Sequence, residues 1–192
     1  VDVFGIDLST NMIDLAKEYW KEMNPAIKHR TRFLVEDATT MEYPENFYDV
    51  VYSRDTILHI EDKLHLFKLF EKTLKPGGQL VISDYCCGDG VHTQAFKDYV
   101  KQRGYNLLTV SDYGKTIKKA GFEEVQAINN SKYFLEILDK ELKSFRSIRE
   151  EMISEYSLED YDYIVEGWND KVQRVGKGDQ CWGYFKAKKM FA

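Results

Sequence analysis

An aspartate and a histidine four residues apart, Asp55 and His59, are the side chains of this sequence best suited to handling a charge and a proton. A carboxylate attracts a cationic group, and histidine accepts protons near neutral pH. If the segment is helical, both side chains lie on one helix face. The alternative is that His59 is a partly buried structural histidine. Its place after a predicted strand, at the carboxyl edge of the sheet, favours a catalytic base.

Two further acids, Asp7 and Asp37, end short apolar segments early in the chain. A carboxylate has two acceptor oxygens, which suits the paired hydroxyls of a ribose, and such an acid follows a strand in many nucleotide-binding α/β folds. Asp7, followed by Leu8, is therefore the candidate ribose ligand, unless Asp7 only caps the next helix. Asp37 can accept a hydrogen bond from an adenine amino group, while Ala38 offers its backbone N–H to a ring nitrogen.

These acids are compatible with either a nicotinamide cofactor or S-adenosylmethionine. The acid that follows the predicted strand Thr31–Val35, together with the Pro76-Gly77-Gly78 turn before a later strand, fits S-adenosylmethionine better. The sequence therefore predicts S-adenosylmethionine as the cofactor.

The acids are positioned by strands that alternate with helices. Predicted strands cover Val1–Asp7, Thr31–Val35, Phe47–Tyr52, Gln79–Ser83, Phe122–Ile128 and Trp182–Lys188. Apolar positions with helical spacing predict helices after Ser9, from Leu64 to Leu74, within residues 86–110, near Asp112–Ala120 and over residues 131–172. This order predicts an α/β fold with a parallel sheet, helices on both faces, polar groups at its carboxyl edge and one domain over residues 1–192.

Composition excludes several classes of protein. The net charge of −5 comes without a long basic run, which disfavours nucleic-acid binding. No apolar stretch approaches the ~20 residues of a membrane span, so a membrane partner is not expected. The three cysteines, Cys86, Cys87 and Cys181, form no CxxC pair, which favours reduced thiols in a cytoplasmic protein over disulfides or a metal site.

Several motifs together resemble one enzyme family. They are Tyr52–Ile60, Leu74–Gly78, Asp84–Cys86, Tyr99–Tyr105 and Gly167–Lys171, in this order. The chain resembles the phosphoethanolamine N-methyltransferases, class I S-adenosylmethionine-dependent enzymes that make phosphocholine, over essentially its whole length. The Leu-Lys-Pro-Gly-Gly turn is common to many class I methyltransferases. The Ser-Arg-Asp-x-Ile-Leu-His segment joined to Lys-Gln-Arg-x-Tyr discriminates strongly.

The resemblance implies cofactor and catalytic roles. Asp7 would hold the ribose, and Asp37 with Ala38 the adenine. Asp55 would lie beside the methionine part of the cofactor. His59 matches the histidine that family members pair with a tyrosine in catalysis.

The resemblance also implies a pocket for the phosphobase. Its residues match Tyr85, Tyr99, Arg103, Tyr105 and a lysine of the late helix, for which Lys171 is the candidate and Arg174 and Lys177 are neighbours. The chemistry agrees, because arginine grips phosphate with parallel donors and aromatic faces suit a methylated ammonium. The alternative is that the tyrosines pack in a helical lid and the arginine is only a solvated charge.

Two pieces of the family pattern would lie before Val1. They are a central first strand with its glycine-rich loop, and a helical segment with the tyrosine that pairs with His59. Buried amides without partners cost on the order of 1–3 kcal/mol each. We therefore expect the 192 residues alone to fold poorly and to bind S-adenosylmethionine weakly or not at all.

The leading functional hypothesis is stepwise N-methylation of phosphoethanolamine by a parent protein of which this is the C-terminal portion, a cytoplasmic monomer with a small-molecule substrate. One alternative is a class I methyltransferase for another small acceptor. Another is an inactive fragment or interaction module.

Overall fold

The chain folds as two units, which the computed structural model describes from Val1 to Phe191. The first unit covers Val1–Pro44 and the second begins at Glu45. The expectation of a single domain over all 192 residues stays a prediction. No helix in the described part of the chain is both long and apolar enough to cross a membrane.

The first unit is built on one parallel pair of strands. Its elements are β1 (Val3–Asp7), α1 (Thr10–Glu22), α2 (Pro25–Lys28) and β2 (Thr31–Val35). The strands pair in register, so that Asp7 lies beside Val35 at their carboxyl ends. The helix α1 begins where the Ser9 side chain accepts a hydrogen bond from the Met12 N–H.

The second unit contains a four-stranded mixed sheet. Its strands are β3 (Tyr48–Arg54), β4 (Leu74–Cys87), β5 (Glu123–Asn129) and β6 (Gln180–Lys188), in the order β3-β4-β6-β5. Its helices are a 3-10 turn (Ile57–His59), α3 (Lys63–Thr73), α4 (Gln94–Arg103), α5 (Val110–Lys119), α6 (Ser131–Ser147), α7 (Arg149–Glu155) and α8 (Leu158–Gly176).

The prediction of a wholly parallel sheet was wrong for this unit. β3 and β4 are parallel, but β6 runs antiparallel to both β4 and β5. The reason is where α8 ends. The Gly88 N–H, just after β4, donates to the Asp179 carbonyl just before β6. Because β6 starts beside the end of β4, the chain can extend along the sheet only in the opposite direction.

The fourth predicted strand also begins earlier than expected. Leu74, predicted in the helix, is the first residue of β4, where it is fully buried and pairs with Tyr48. The turn Pro76-Gly77-Gly78 lies within the strand, and Gly77 has φ +77°, a conformation that L side chains rarely adopt. The register shifts between Tyr48 and Val50, which accommodates this turn.

Successive side chains of β4 and β6 point alternately to the two faces of the sheet, and both faces are buried. On one face, Ile82 lies opposite Phe185, whose ring stacks on Tyr113 of α5 at a centroid distance of 4.1 Å. On the other face, Tyr85 lies opposite Trp182, and both rings pack against Phe134 of α6. Helices therefore cover both faces, as predicted.

Replacing Phe185 by alanine should strongly destabilise the protein. Phe185 is completely buried and stacked on Tyr113, so the change removes apolar burial and leaves a cavity. We expect a loss of about 3–5 kcal/mol in the free energy of unfolding, measured by urea denaturation of the protein expressed from its complete reading frame. Tyr163→Ala, at a 70% exposed position of α8, is the control. Equal losses in both variants would contradict this core assignment.

Candidate functional site

Asp7 lies at the end of β1, where its carboxylate shapes the turn into α1. Its Oδ1 accepts the Ser9 N–H at 2.8 Å, and its backbone carbonyl accepts the Glu36 N–H at 3.1 Å. The helix cap itself is Ser9, so Asp7 is not the capping residue that the alternative interpretation required. The next residue, Leu8, has 72% of its surface exposed.

Asp37 occupies the equivalent place after β2. Its Oδ1 accepts two hydrogen bonds from Thr39, one from the backbone N–H at 2.8 Å and one from the hydroxyl at 2.6 Å. These bonds favour the ionised form and lower the pKa of Asp37. The carbonyl of the neighbouring Ala38 accepts the Tyr43 hydroxyl. The first unit therefore presents two carboxylates, each with one oxygen fixed by the backbone of its own turn.

Asp55 follows directly after β3 in the second unit. Its φ of 49° is unusual for a residue with a side chain, and its N–H donates to the Ser83 carbonyl of β4 at 2.8 Å. The carboxylate Oδ1 accepts the indole N–H of Trp182 at 2.9 Å. Burial raises the pKa of Asp55, while the hydrogen bond from Trp182 opposes that rise. The carboxylate is thus fixed by two strands other than its own.

His59 lies in the 3-10 turn and is exposed. Asp55 and His59 would share a helix face only if one helix held both, and this condition is not met, because the left-handed backbone of Asp55 separates β3 from a helical segment that begins only at Ile57. The buried Lys63 ammonium fixes this turn by donating to the carbonyls of Ile57 and Ile60 at 2.9 and 2.5 Å.

The end of α4 brings Tyr105 to His59. Gly104 closes the helix with φ 64°, and Asn106 then donates its N–H to the Leu58 carbonyl and its side-chain N–H to the His59 carbonyl. These bonds place the Tyr105 ring edge-on to the imidazole of His59, at a centroid distance of 5.1 Å. Burial raises the pKa of Tyr105 to about 12, so its hydroxyl is a neutral donor at physiological pH.

Tyr99 lies next to Tyr105 and carries two guanidinium groups near its ring. The Tyr99 and Tyr105 rings meet edge to face at 5.8 Å. The Arg103 guanidinium lies 5.8 Å from the Tyr99 centroid, and that of Arg174 lies at 3.8 Å. The Nε–H of Arg174 also donates to Oε1 of the buried Gln180 at 3.2 Å. Arg174 is therefore the better fixed of the two arginines.

Lys171 and Tyr85 form the third part of the site. The Lys171 ammonium donates to the Tyr85 hydroxyl at 3.2 Å and lies 5.4 Å from the centre of its ring. Burial lowers the pKa of Lys171, and the Arg174 charge acts in the same direction. Lys177, which the sequence left as an alternative, is exposed at the C-terminal cap of α8.

The second unit thus brings its predicted site residues into one region, which we call the carboxyl-edge cluster. Its members are Asp55, His59, Tyr85, Tyr99, Arg103, Tyr105, Lys171, Arg174 and Trp182. Burial raises the pKa of Tyr85, and the negative charge of Asp55 raises it further. The predicted roles of these residues stay predictions.

Sequence reasoning missed Trp182 and gave Arg174 only as a neighbour of Lys171. The alternating pattern of the last predicted strand indicated that Trp182 lies in a strand. Which residue of β4 lies opposite Trp182 depends on the register between β4 and β6, which the sequence does not show. The signal for Arg174 was its spacing, since residues three apart on a helix lie on neighbouring surface positions and Arg174 follows Lys171 on α8.

Comparison with known proteins gives close relatives over the whole chain. A family model described as "Methyltransferase domain" matches residues 1–82. Phosphoethanolamine N-methyltransferase 1 of Zea mays is 49% identical over 187 residues, which are 97% of this chain and 36% of that protein. Phosphoethanolamine N-methyltransferase of Plasmodium falciparum is 37% identical over 96% of this chain and 69% of that protein. The chain thus spans little more than a third of the Zea mays relative.

Solved structures share the architecture. Haemonchus contortus phosphoethanolamine N-methyltransferase 2, in complex with phosphomonomethylethanolamine and S-adenosylhomocysteine, superposes with a TM-score of 0.93 at 36% identity, over 98% of this chain and 43% of that one. The cyclopropane synthase MmaA2 of Mycobacterium tuberculosis, at 18% identity, superposes with a TM-score of 0.83 over 98% of this chain and 70% of that one. The fold is that of the class I methyltransferases.

A buried acid lies under the carboxyl-edge cluster. Asp84, next to Tyr85 on β4, is fully buried, and its Oδ2 accepts the Tyr113 hydroxyl at 3.0 Å. Burial raises the pKa of Asp84 to about 7, although the Tyr113 hydrogen bond and the Lys63 charge oppose the rise. The folded protein therefore holds the Asp84 proton more tightly than the unfolded chain does.

Stability should consequently depend on pH through Asp84. Its folded pKa of about 7 exceeds the ordinary value of 3.8, so its stabilising contribution is complete below about pH 4 and is lost as pH rises through 7. Asp84→Asn keeps an acceptor for Tyr113 but cannot ionise. We expect the free energy of unfolding to fall more between pH 4 and 7 in the wild type than in this variant, measured by urea denaturation. The exposed Asp162→Asn is the control. Parallel curves for wild type and Asp84→Asn would refute the assignment.

Proposed function

Because the chain belongs to the phosphoethanolamine N-methyltransferase family, we propose that it serves the S-adenosylmethionine-dependent methylation of phosphoethanolamine, through its mono- and dimethyl forms, to phosphocholine. The observation that carries this proposal is the charge pattern of the carboxyl-edge cluster. Three cations, Lys171, Arg103 and Arg174, lie in the same cluster as His59 and the Asp55 carboxylate, on which the Lys171 charge acts. A substrate with a phosphate at one end and an amine at the other matches both kinds of group.

The phosphate end is assigned to three cations. Lys171, Arg103 and Arg174 have no carboxylate within ion-pair distance among residues 1–191. Lys171 and Arg174 are half-buried while Arg103 is exposed, and cations that repel each other and are partly withdrawn from water are costly unless an anion joins them. A phosphate dianion would relieve this repulsion, and the hydroxyls of Tyr99 and Tyr105 would add neutral donors.

The amine end is assigned to Asp55 and His59. The carboxylate attracts the ammonium form of the substrate, and the imidazole accepts its proton so that a lone pair becomes available. As methyl groups accumulate, the nitrogen loses its N–H donors and becomes a bulky cation. The faces of Tyr85 and Tyr105 then offer better contacts than a carboxylate does.

The cofactor end is assigned to the first unit. Asp7 and Asp37 each have Oδ1 occupied by a turn, so Oδ2 is the atom that we assign to the ribose hydroxyls and the adenine amino group, respectively. The exposed side chain of Leu8 would cover one face of the adenine, and the Ala38 N–H would donate to a ring nitrogen. These donor and acceptor types fit a nucleoside.

The protein contributes orientation and proton handling to the reaction. Bound S-adenosylmethionine supplies an electrophilic methyl group on a sulfonium. The cations grip the phosphate and so fix the far end of the substrate. Asp55 orients its nitrogen, and His59 removes the proton before the nitrogen attacks. Such positioning replaces an encounter in solution by a reaction within one complex.

We further propose that the protein is a cytoplasmic monomer without nucleic-acid or membrane partners. The free thiols of Cys86, Cys87 and Cys181 support a reducing compartment. The net charge of −5, without a basic run, supports the absence of a nucleic-acid partner.

His59→Ala should lower turnover far more than it lowers cofactor affinity. Removing a general base typically costs about 10²-fold or more in rate, while His59 is not among the residues assigned to the cofactor. The measurement is kcat for phosphoethanolamine methylation, with S-adenosylmethionine affinity from calorimetry, in the protein expressed from its complete reading frame. His65→Ala, an exposed histidine of α3, is the control. Full turnover in His59→Ala would remove it as the base.

Arg174→Met should raise the KM for phosphoethanolamine about tenfold or more with little change in kcat, because it removes a charged donor to the phosphate. The KM for free ethanolamine, which has no phosphate, should hardly change. Lys177→Met, three residues further at the exposed C-terminal cap of α8, is the matched control. An unchanged phosphoethanolamine KM would place the phosphate elsewhere. Equal use of both acceptors by the wild type would instead indicate a methyltransferase for another small molecule.

A further inference from the structure

Trp182 makes a polar contact with Asp55 that none of the assigned roles explains. The two residues are 127 positions apart, yet the indole Nε1–H donates to Oδ1 of Asp55 at 2.9 Å. A charged acceptor makes this one of the stronger kinds of hydrogen bond. It joins the last strand of the sheet to the end of β3.

The indole of Trp182 is fixed from several sides. Its ring stacks on Phe134 of α6 at a centroid distance of 5.2 Å. Its backbone N–H donates to the Ser131 hydroxyl at 3.0 Å, and it lies opposite Tyr85 in the register of β4 and β6. The indole therefore cannot turn away from Asp55 without breaking core packing.

Besides the indole, the Ser83 side chain on β4 forms a hydrogen bond with the Asp55 carboxylate. The Asp55 backbone lies in the left-handed region, where a residue with a side chain persists only if its surroundings impose it. Oδ2 lies 4.0 Å from the Arg54 Nε, and that arginine side chain is 70% exposed. The indole is a firmly placed partner, and it binds one oxygen only.

We propose that Trp182 is a positioning residue for the amine: its indole N–H holds Oδ1 of Asp55, so that Oδ2 faces the substrate ammonium. An indole N–H donates and cannot accept. It therefore does not compete with the carboxylate for the ammonium protons. This inference rests on the proposed function.

Losing the indole donor should also raise the pH at which the Asp55 carboxyl group ionises. The charged groups around Asp55 are Arg54 beside it and Lys171 from α8, and the titratable hydroxyls are Tyr85 on β4 and Tyr113 on α5. Burial already raises the pKa of Asp55 and the indole opposes this rise, so removing the indole raises the pKa further. Because the carboxylate is the form that binds an ammonium, the acid limb of activity then moves to higher pH.

Trp182→Phe tests this role because it keeps an aromatic ring for Phe134 and removes the N–H. We expect kcat/KM for phosphoethanolamine to fall on the order of tenfold at neutral pH, with the acid limb of its pH profile displaced upward. The matched control is Trp168→Phe, which changes another tryptophan packed against the same apolar cluster. The control should keep the wild-type pH profile. An unchanged limb in Trp182→Phe, with the wild type active, would overturn the proposal.

A second measurement does not depend on turnover. The indole ¹H–¹⁵N resonance of Trp182, assigned through the contact of its ring with Phe134, should shift with pH as Asp55 ionises, and Asp55→Asn should abolish that titration. The Trp168 resonance is the internal control. A Trp182 resonance that ignores both pH and Asp55→Asn would overturn the proposal even if Trp182→Phe fails to fold. A wild type that cannot methylate phosphoethanolamine would refute the proposed function, whereas the resonance still decides whether Trp182 holds Asp55.

Discussion

The antiparallel return of β6 beside β4 is the constraint on which the carboxyl-edge cluster depends. At the start of β6, the carboxylate of Asp179 accepts hydrogen bonds from the N–H and hydroxyl of Thr93 and so anchors the beginning of α4. The next residue, Gln180, holds Arg174 against Tyr99. Two residues later, Trp182 reaches Asp55. Contacts from three residues at one strand end therefore position a helix, a cation and a carboxylate, and a shift of one residue in the register would displace all of them.

Burial of its charged groups means that a ligand of opposite charge would stabilise the carboxyl-edge cluster. Withdrawal from water lowers the pKa of Lys171 and raises that of Asp55. Each group therefore carries its charge at a cost in desolvation free energy. Arg174 increases the cost for Lys171, whereas Asp55 and Glu141 reduce it. A ligand with an anion at one end and a cation at the other would stabilise both kinds of group together. The same arrangement would discriminate against acceptors that carry only one of the two charges.

The sequence predicted the order of strands and helices and most of the cluster, because periodicity and acid-ended strands are local signals. Thr31–Val35 was predicted with the observed bounds. The direction of β6 was not predictable, because it follows from where α8 ends. Whether one helix holds both Asp55 and His59 stayed open in the sequence, because the positive φ of Asp55 is imposed by its contacts with β4 and Trp182, which are distant in sequence. Contacts between remote segments are thus what local patterns failed to provide.

We propose that the carboxyl-edge cluster of the second unit binds the phosphobase by both ends. The most direct measurement is a crystal structure of the protein, expressed from its complete reading frame, with phosphocholine and S-adenosylhomocysteine. We expect phosphate oxygens within hydrogen-bond distance of Lys171 and Arg174, with the trimethylammonium group beside Asp55 and the Tyr105 ring. A phosphate held away from both cations, or an ammonium group directed away from Asp55, would contradict this proposal.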